Sequence, residues 1–234
     1  MSLTKVTYSM INGSLYNPVD YGADPTGTVD STNAIQDAID AVGAAGGGVL
    51  FFPPGVYKVT GLTCYTNNVA MYGYGAQLYG TDKDATILRV KGNDIHIEGF
   101  EMTHDVDTQA DWSTKTGRAV YLEPDGSQIG CKRITIDSVY AHNISYISIS
   151  GDRCEDVRVL GCTVEYCGGA GILMNATEGE CLISGNRVYN VGDDGIMLVP
   201  VASSDFASGN GGRYNGGQVI GNTVDKGGNI YGIR

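Results

Sequence analysis

The 234-residue sequence lacks the signals that mark several large classes of protein. Its start, MSLTKVTYSM, is not a basic segment followed by an apolar run, and no stretch approaches the ~20 apolar residues of a membrane span. Lys and Arg number 15 against 26 Asp and Glu and form no cluster, which argues against binding to nucleic acid. The sequence therefore predicts a soluble protein, made in the cytoplasm without a signal peptide, whose partner is neither a membrane nor a nucleic acid.

The six cysteines also lack the spacing of a zinc site. They stand at positions 64, 131, 154, 162, 167 and 181, with no C-x-x-C pair and no paired histidine spacing. Cys162 follows a turn glycine at the position that Asn186 and Asn222 fill in later repeats. We therefore expect small, inward-facing thiols that stay reduced.

What the sequence contains instead is a repeat in its C-terminal half. Four segments share a strand-turn-strand pattern, and their turns fall at positions 138, 161, 185 and 221, so the spacings are 23, 24 and 36 residues. A second short strand follows at 146–150, 171–175 and 195–199. Alternating apolar residues at such a period predict the coils of an all-β solenoid, the parallel β-helix. We expect one internal column to contain Ile136, Val159, Ile183 and Val219.

A short helix is predicted ahead of these coils. Residues 1–19 have no strong periodicity and are interpreted as an extended lead-in, whereas 20–234 form the β-helix domain. Asp30 or Ser31 offers an N-cap for a helix near residues 31–43 that ends before three glycines. Because such a helix must bury its apolar stripe, we expect it to cap the first coil. The stripe consists of Ile35, Ala38, Ile39 and Val42.

Residues 19–59, VDYGADPTGTVDSTNAIQDAIDAVGAAGGGVLFFPPGVYKV, resemble the opening of the pectate-lyase-like right-handed β-helix proteins. TKVTYSMI, at 4–11, resembles the lead-in of bacteriophage tailspikes. The resemblance implies a right-handed, single-stranded parallel β-helix and a homotrimer in the virion tail that depolymerises bacterial surface polysaccharide. The alternative is a non-catalytic glycan-binding or structural spike. A further alternative is that the sequence is a fragment lacking the active site, because it ends at Arg234 inside an expected strand without a polar cap.

The residue four positions after each turn is polar when Gly99 is taken as a further turn. On a strand this offset points in one direction, so the sequence predicts an outward ladder at ~4.8 Å intervals. Glu165 and His142 are interpreted as catalytic, and Tyr189 and Asp225 as substrate contacts; an ordinary polar surface is the alternative. The ladder consists of Thr103, His142, Glu165, Tyr189 and Asp225.

The motif VGDDGI at 191–196 sets two carboxylates side by side at a turn. Like charges at close range favour one protonated and one ionised group, which divides acid and base roles. The motif resembles the paired aspartates of polygalacturonase-type β-helix hydrolases, and this implies that Asp193 and Asp194 are catalytic. The preceding coil, however, has Gly169 and Ala170 where that family carries another aspartate, and no G-H-G follows. The alternative is that the aspartates serve only the tight turn.

Two coils exceed the standard 24 residues, with 39 between Gly99 and Ser138 and 36 between Gly185 and Gly221. The surplus must leave the solenoid as loops, where function concentrates. Aromatic rings stack on sugars and arginines offset the repulsion of an anionic polymer. The loop residues interpreted as substrate contacts are Trp112, Arg213 and Tyr214, and the arginines that would offset repulsion are Arg118, Arg158 and Arg213.

The first of these loops also offers carboxylate ligands of the kind that calcium prefers. Asp105, Asp107 and Asp111 follow one another closely, but the glycine and distal glutamate of an EF-hand are lacking. We expect no resident metal or other cofactor, with calcium in this loop as the alternative.

Overall fold

The computed structural model describes residues 15–106, 116–126, 129–175, 177–199 and 217–225. Within these ranges the chain forms three parallel sheets and one α-helix, α1 (Thr32–Ala44), preceded by a 3-10 turn at Pro18–Tyr21. Successive strands visit sheets A, B and C in turn, and each strand pairs with its counterpart one coil away. The architecture is the predicted right-handed parallel β-helix with a short N-terminal helix.

The strands of the three sheets have the following bounds. Sheet A contains β1 (Leu15–Tyr16), β3 (Gly48–Phe51), β6 (Val69–Tyr72), β9 (Ile95–Glu98), β12 (Cys131–Asp137), β15 (Cys154–Leu160), β18 (Glu178–Ser184) and β21 (Gln218–Ile220). Sheet B contains β2 (Thr26–Asp30), β4 (Gly55–Val59), β7 (Ala76–Gly80), β10 (Glu101–His104), β13 (Tyr140–Ile144), β16 (Thr163–Cys167), β19 (Arg187–Val191) and β22 (Thr223–Val224). Sheet C contains β5 (Leu62–Cys64), β8 (Leu88–Val90), β11 (Arg118–Leu122), β14 (Ile147–Asp152), β17 (Ile172–Asn175) and β20 (Ile196–Val199). Strand β1 already pairs with β3, so sheet A begins within the segment expected to be the lead-in.

The alternating pattern sends one residue in two into a continuous core. Ile136 pairs with Val159, Val159 with Ile183, and Ile183 with Val219, which confirms the predicted column. The first three are fully buried, and Val219 packs against the core from the last described coil. Full burial of such a side chain stabilises the fold by about 1.5–3 kcal/mol, so the solenoid is held together coil by coil.

The turn from sheet A to sheet B repeats in the same conformation. Gly161, Gly185 and Gly221 have φ of 57°, 68° and 64°, and Ser138 adopts the same left-handed region at 52°. The residue after the turn points inward, and there Asn186 accepts a hydrogen bond from the backbone N–H of Cys162 at 2.8 Å. The equivalence of Cys162, Asn186 and Asn222 inferred from the sequence therefore corresponds to a stacked column.

Helix α1 covers the first edge of sheet C. Its four predicted apolar residues are all buried, and the Asp30 carboxylate accepts a hydrogen bond from Thr32 N–H at 2.9 Å beside the N-cap residue Ser31. On the side facing β5, the Gln36 amide accepts from Thr63 N–H at 3.0 Å and donates to Thr63 O at 2.9 Å. Gln36 thus satisfies backbone groups that a neighbouring strand would otherwise bind, which confirms the capping role of the helix.

The six cysteines are all free and buried. In the described parts of the chain, no helix is long and apolar enough to cross a membrane.

Candidate functional site

The predicted ladder lies on the outer face of sheet B. Thr103 pairs with His142, His142 with Glu165, and Glu165 with Tyr189, so the register inferred from the turn positions is confirmed. Asp225 follows in the next coil, where its N–H donates to Val188 O. Thr103 is buried, so that end of the ladder is closed to solvent.

Glu165 lies at the centre of a hydrogen-bonded network on this face. Its Oε2 accepts from the hydroxyls of Tyr140 at 2.9 Å and Tyr189 at 2.8 Å. His142 bonds through Nε2 to Glu101 Oε1 at 2.9 Å, and its ring stacks on that of Tyr140 at 4.6 Å between centroids. Burial together with the Glu165 carboxylate raises the pKa of Tyr140, and the hydrogen bond to Glu165 raises that of Tyr189. Both phenols are therefore fixed as proton donors to one carboxylate.

The aspartate pair lies elsewhere, in the turn that leads from β19 to β20. Asp193 is exposed, whereas Asp194 has only 1% of its surface accessible and its Oδ1 has no hydrogen-bond partner among the described residues. A polymer on the surface can therefore reach the first carboxylate and not the second. The four residues predicted to be catalytic are divided between the face of sheet B and this turn.

A second polar array, of which the sequence interpretation identified only Arg118, lies on the outer face of sheet C. The Arg118 guanidinium lies 4.3 Å from the ring centroid of Tyr121, and that of Arg89 lies 5.8 Å from it. The Tyr121 hydroxyl donates to Asp152 Oδ2 at 2.8 Å, and Asn175 Nδ2 donates to Asp152 Oδ1 at 2.9 Å. We call these five residues the sheet C array.

Electrostatics fix the protonation of the phenol in this array. Burial first, and then the hydrogen bond to Asp152, raise the pKa of Tyr121 far above its usual range. Tyr121 therefore keeps its proton at neutral pH. Both Asp152 oxygens are oriented by donors on neighbouring coils, so the carboxylate is held in one position. The guanidinium groups of Arg89 and Arg118 place positive charge beside the Tyr121 ring in a chain whose formal net charge is −11.

Both long insertions begin or end at a strand of sheet C. Residues 105–117 connect β10 to β11, and residues 200–217 connect β20 to β21, so each joins a strand of sheet C to a neighbouring sheet. Trp112, Arg213 and Tyr214, as well as Asp107 and Asp111 of the calcium alternative, lie outside the described residues. Asp105 is described and exposed. The described ranges contain no cluster of three or more His, Cys, Asp or Glu able to hold a metal ion.

Buried polar atoms without a partner also gather around sheet C. In native proteins such atoms are few, and each calls for an explanation such as a ligand or a catalytic role. Among the described residues, three of them lie in strands of sheet C, Thr86 lies two residues before β8, and His104 ends β10, while Thr177 lies between β17 and β18 and Asp194 between β19 and β20. The atoms are Thr86 Oγ1, His104 Nε2, Arg118 Nε, Ser148 Oγ, Ser150 Oγ, Thr177 Oγ1 and Asp194 Oδ1.

The sequence did carry a signal for this face. The second strand of each coil was recognised, and Tyr121, Ser150 and Leu173 occupy one in-register row of sheet C. The insertion of residues 105–117 hides this row in the sequence, because Tyr121 lies 22 residues after the turn at Gly99, whereas Ser150 and Leu173 lie 12 residues after their turns. Both insertions are attached to strands of sheet C, β11 and β20.

Comparison with known proteins agrees with this architecture. The profile of a family described as rhamnogalacturonase A/epimerase, pectate lyase-like, matches residues 15–225. The chain is 36% identical over 126 residues to mannuronan C5-epimerase AlgE1 of Azotobacter vinelandii, covering 52% of this chain and 8% of that protein. It is 35% identical over 97 residues to alginate lyase 7 of the same organism, covering 38% of this chain and 11% of that protein. The matches thus span only a small part of the length of these relatives.

A solved structure gives the same fold over a longer range. The family 28 exopolygalacturonase of Yersinia enterocolitica superimposes with a TM-score of 0.70 at 15% identity, covering 91% of this chain and 49% of that one. At such an identity the likeness concerns the fold alone.

Proposed function

The chain belongs to the rhamnogalacturonase A/epimerase, pectate-lyase-like family, and we propose on this basis that it cleaves an anionic polysaccharide bound along the outer face of sheet C. Its family is one of polysaccharide-acting β-helix enzymes. Two relatives are named for alginate and mannuronan, polymers that carry carboxylate groups. An anionic polymer needs local positive charge on a chain of net charge −11, and Arg89 and Arg118 supply it on this face.

The observation that carries the proposal is the sheet C array, which sets two guanidinium groups around the Tyr121 ring and an oriented carboxylate at its hydroxyl. Each of these side chains is partly exposed, so a polymer on the outer face can reach them. The serine hydroxyls of β14 are closed to solvent, so they lie behind this face and do not bind the polymer directly.

The chemistry proposed for this face is acid–base cleavage of a glycosidic bond. Arg89 and Arg118 bind carboxylates of the polymer. Asp152, held by Asn175 and Tyr121, accepts a proton as the bond to the leaving oxygen breaks. Tyr121 is protonated at the start and transfers its proton to that oxygen, and the proton taken up by Asp152 then returns to the Tyr121 oxygen along their hydrogen bond. Hydrolysis takes the proton from water and elimination takes it from the sugar ring, and both use the same two residues.

The proposal also covers the source of the polysaccharide and the assembly in which the protein acts. We infer that the polymer is a bacterial surface polysaccharide and that the protein acts as a homotrimer in a virion tail. The support is the resemblance of residues 4–11 to a tailspike lead-in. Light scattering of the purified chain tests the oligomer, since a monomer at micromolar concentration contradicts it.

The proposed function is tested by cleavage of a panel of acidic and neutral polysaccharides. Release of reducing ends detects any cleavage, and absorbance near ~232 nm identifies elimination, whose product is an unsaturated sugar. We expect Asp152→Asn to lose about 100-fold or more in rate, the loss typical of a general acid or base. Glu180→Gln, an exposed surface change on sheet A, is the matched control and should keep the parent rate.

Three further variants distinguish the candidate places. Glu165→Gln tests the face of sheet B, and Asp193→Asn tests the predicted aspartate turn, with folding checked by circular dichroism. Loss of activity in either variant, with Asp152→Asn near the parent rate, overturns the assignment to sheet C. Arg118→Gln should weaken binding of acidic but not neutral polymers. Binding without cleavage of any polymer favours the alternative, a glycan-binding spike.

A further inference from the structure

Two buried cysteines face each other on neighbouring coils. Cys131 is the first residue of β12 and Cys154 the first of β15, and they are direct partners in the parallel ladder. Their sulfur atoms lie 3.4 Å apart, with the Cys131 thiol donating to Cys154 Sγ. Neither side chain is exposed. The pair is therefore preorganised by the register of sheet A.

The positions suit a covalent link between coils. Paired residues of adjacent strands lie ~4.8 Å apart, within the range of about 4.4–6.8 Å between the Cα atoms of disulfide-linked residues. Closing the remaining gap needs rotation of the two side chains. Of the other thiols, Cys162 and Cys167 donate to backbone carbonyls and Cys64 lies beside the Thr66 hydroxyl. Cys181 is close enough to contribute to the raised pKa of Cys154, but its partner in the ladder is Val157.

We propose that Cys131 and Cys154 form an intrachain disulfide when the protein meets a low-molecular-weight disulfide as oxidant. One cysteine thiolate attacks a sulfur of the oxidant, which breaks the S–S bond of the oxidant and releases one small thiol. The second protein thiolate then attacks the mixed disulfide and releases the other small thiol. The protein loses two hydrogens, and the oxidant is reduced to two thiols. The reduced cysteines expected from the sequence are then found only under reducing conditions.

The fold makes this reaction slow in the native state. The hydrogen bond from Cys131, together with burial, raises the pKa of Cys154 well above its ordinary range, so little thiolate is present. Oxidation therefore proceeds fastest while the coil is open, during folding. The link encloses one full coil, from residue 131 to residue 154, and Asp152 stands two residues before its second end. The inference does not depend on the proposed activity of sheet C.

The test is peptide mapping after refolding in a glutathione redox buffer and, separately, after incubation of the folded protein with oxidised glutathione. Free thiols are alkylated in denaturant, and the digest is analysed by mass spectrometry. We expect a cross-linked peptide joining Cys131 to Cys154, a mass lower by about two hydrogens and a thermal midpoint raised by about 5 °C. The Cys64→Ser variant should form the same link, and Cys131→Ser should not.

Two results overturn the inference. One is the recovery of all six cysteines as alkylated thiols in the refolding arm, where access to the oxidant is not limited by burial. The other is a cross-link that joins a different pair. A link found after refolding but not in the folded protein is the outcome expected from the slow native reaction.

Discussion

Replacement of Asn186 by alanine tests whether the stacked amides after the A-to-B turn hold the coils together. Asn186 is fully buried. Its Oδ1 accepts from Cys162 N–H at 2.8 Å, and its Nδ2 donates to Val159 O and to Asn222 Oδ1, each at 2.9 Å. The alanine variant leaves the buried Cys162 N–H without a partner, which costs about 1–3 kcal/mol, and loses two further bonds worth about 1 kcal/mol each.

The sum is about 3–5 kcal/mol in the free energy of unfolding, against a typical total of about 5–15 kcal/mol. For a chain of this size each kcal/mol lowers the thermal midpoint by about 2–4 °C, so we expect a decrease of about 10 °C by circular dichroism. Asn222→Ala is the matched control, because Asn222 is only partly buried and is the last described member of the column. Its effect should be about half as large. A decrease under about 2 °C for Asn186→Ala, with native-like spectra, contradicts the reasoning.

Two other expectations concern acid stability and backbone conformation. Burial lowers the pKa of His104 from 6.5 to about 4, so the unfolded chain takes up this proton at a higher pH than the folded protein does. The free energy of unfolding should therefore decrease by up to about 3 kcal/mol as the pH falls from 6.5 to 4. Urea titrations of His104→Gln should lack this part of the pH dependence. Gly55 has φ of +154°, and a Cβ atom there would overlap the Pro25 carbonyl oxygen, so Gly55→Ala should lower the free energy of unfolding by about 2–4 kcal/mol. Gly46→Ala, with φ of +84° and open space around a Cβ, is the control for the dihedral cost alone and should lose about 1 kcal/mol in the same titration.

The sequence by itself determined the repeat, the helix and one row of side chains. Apolar alternation around 134–137 and its counterparts can be satisfied only by strands that bury one face, and the left-handed turns at Gly161 and Gly185 set the phase of each strand. The offset of four residues therefore brought His142 and Glu165 into register without any coordinates. The stripe that includes Ile35 and Ile39 needed a partner, so the capping helix followed from amphipathicity.

The tertiary structure alone decided what lies beside each of these residues. Tyr121 and Asp152 are 31 residues apart, and Glu101 and His142 are 41 apart, because insertions of unequal length separate their coils. A local period in the sequence cannot predict these side-chain pairs, because the residues that face each other depend on the lengths of the loops between the paired strands. Likewise, adjacent aspartates at 193 and 194 differ in exposure because the turn points one outward and encloses the other. A fixed period gives the direction of a side chain, whereas packing of the neighbouring coil decides whether solvent or a polymer can reach it.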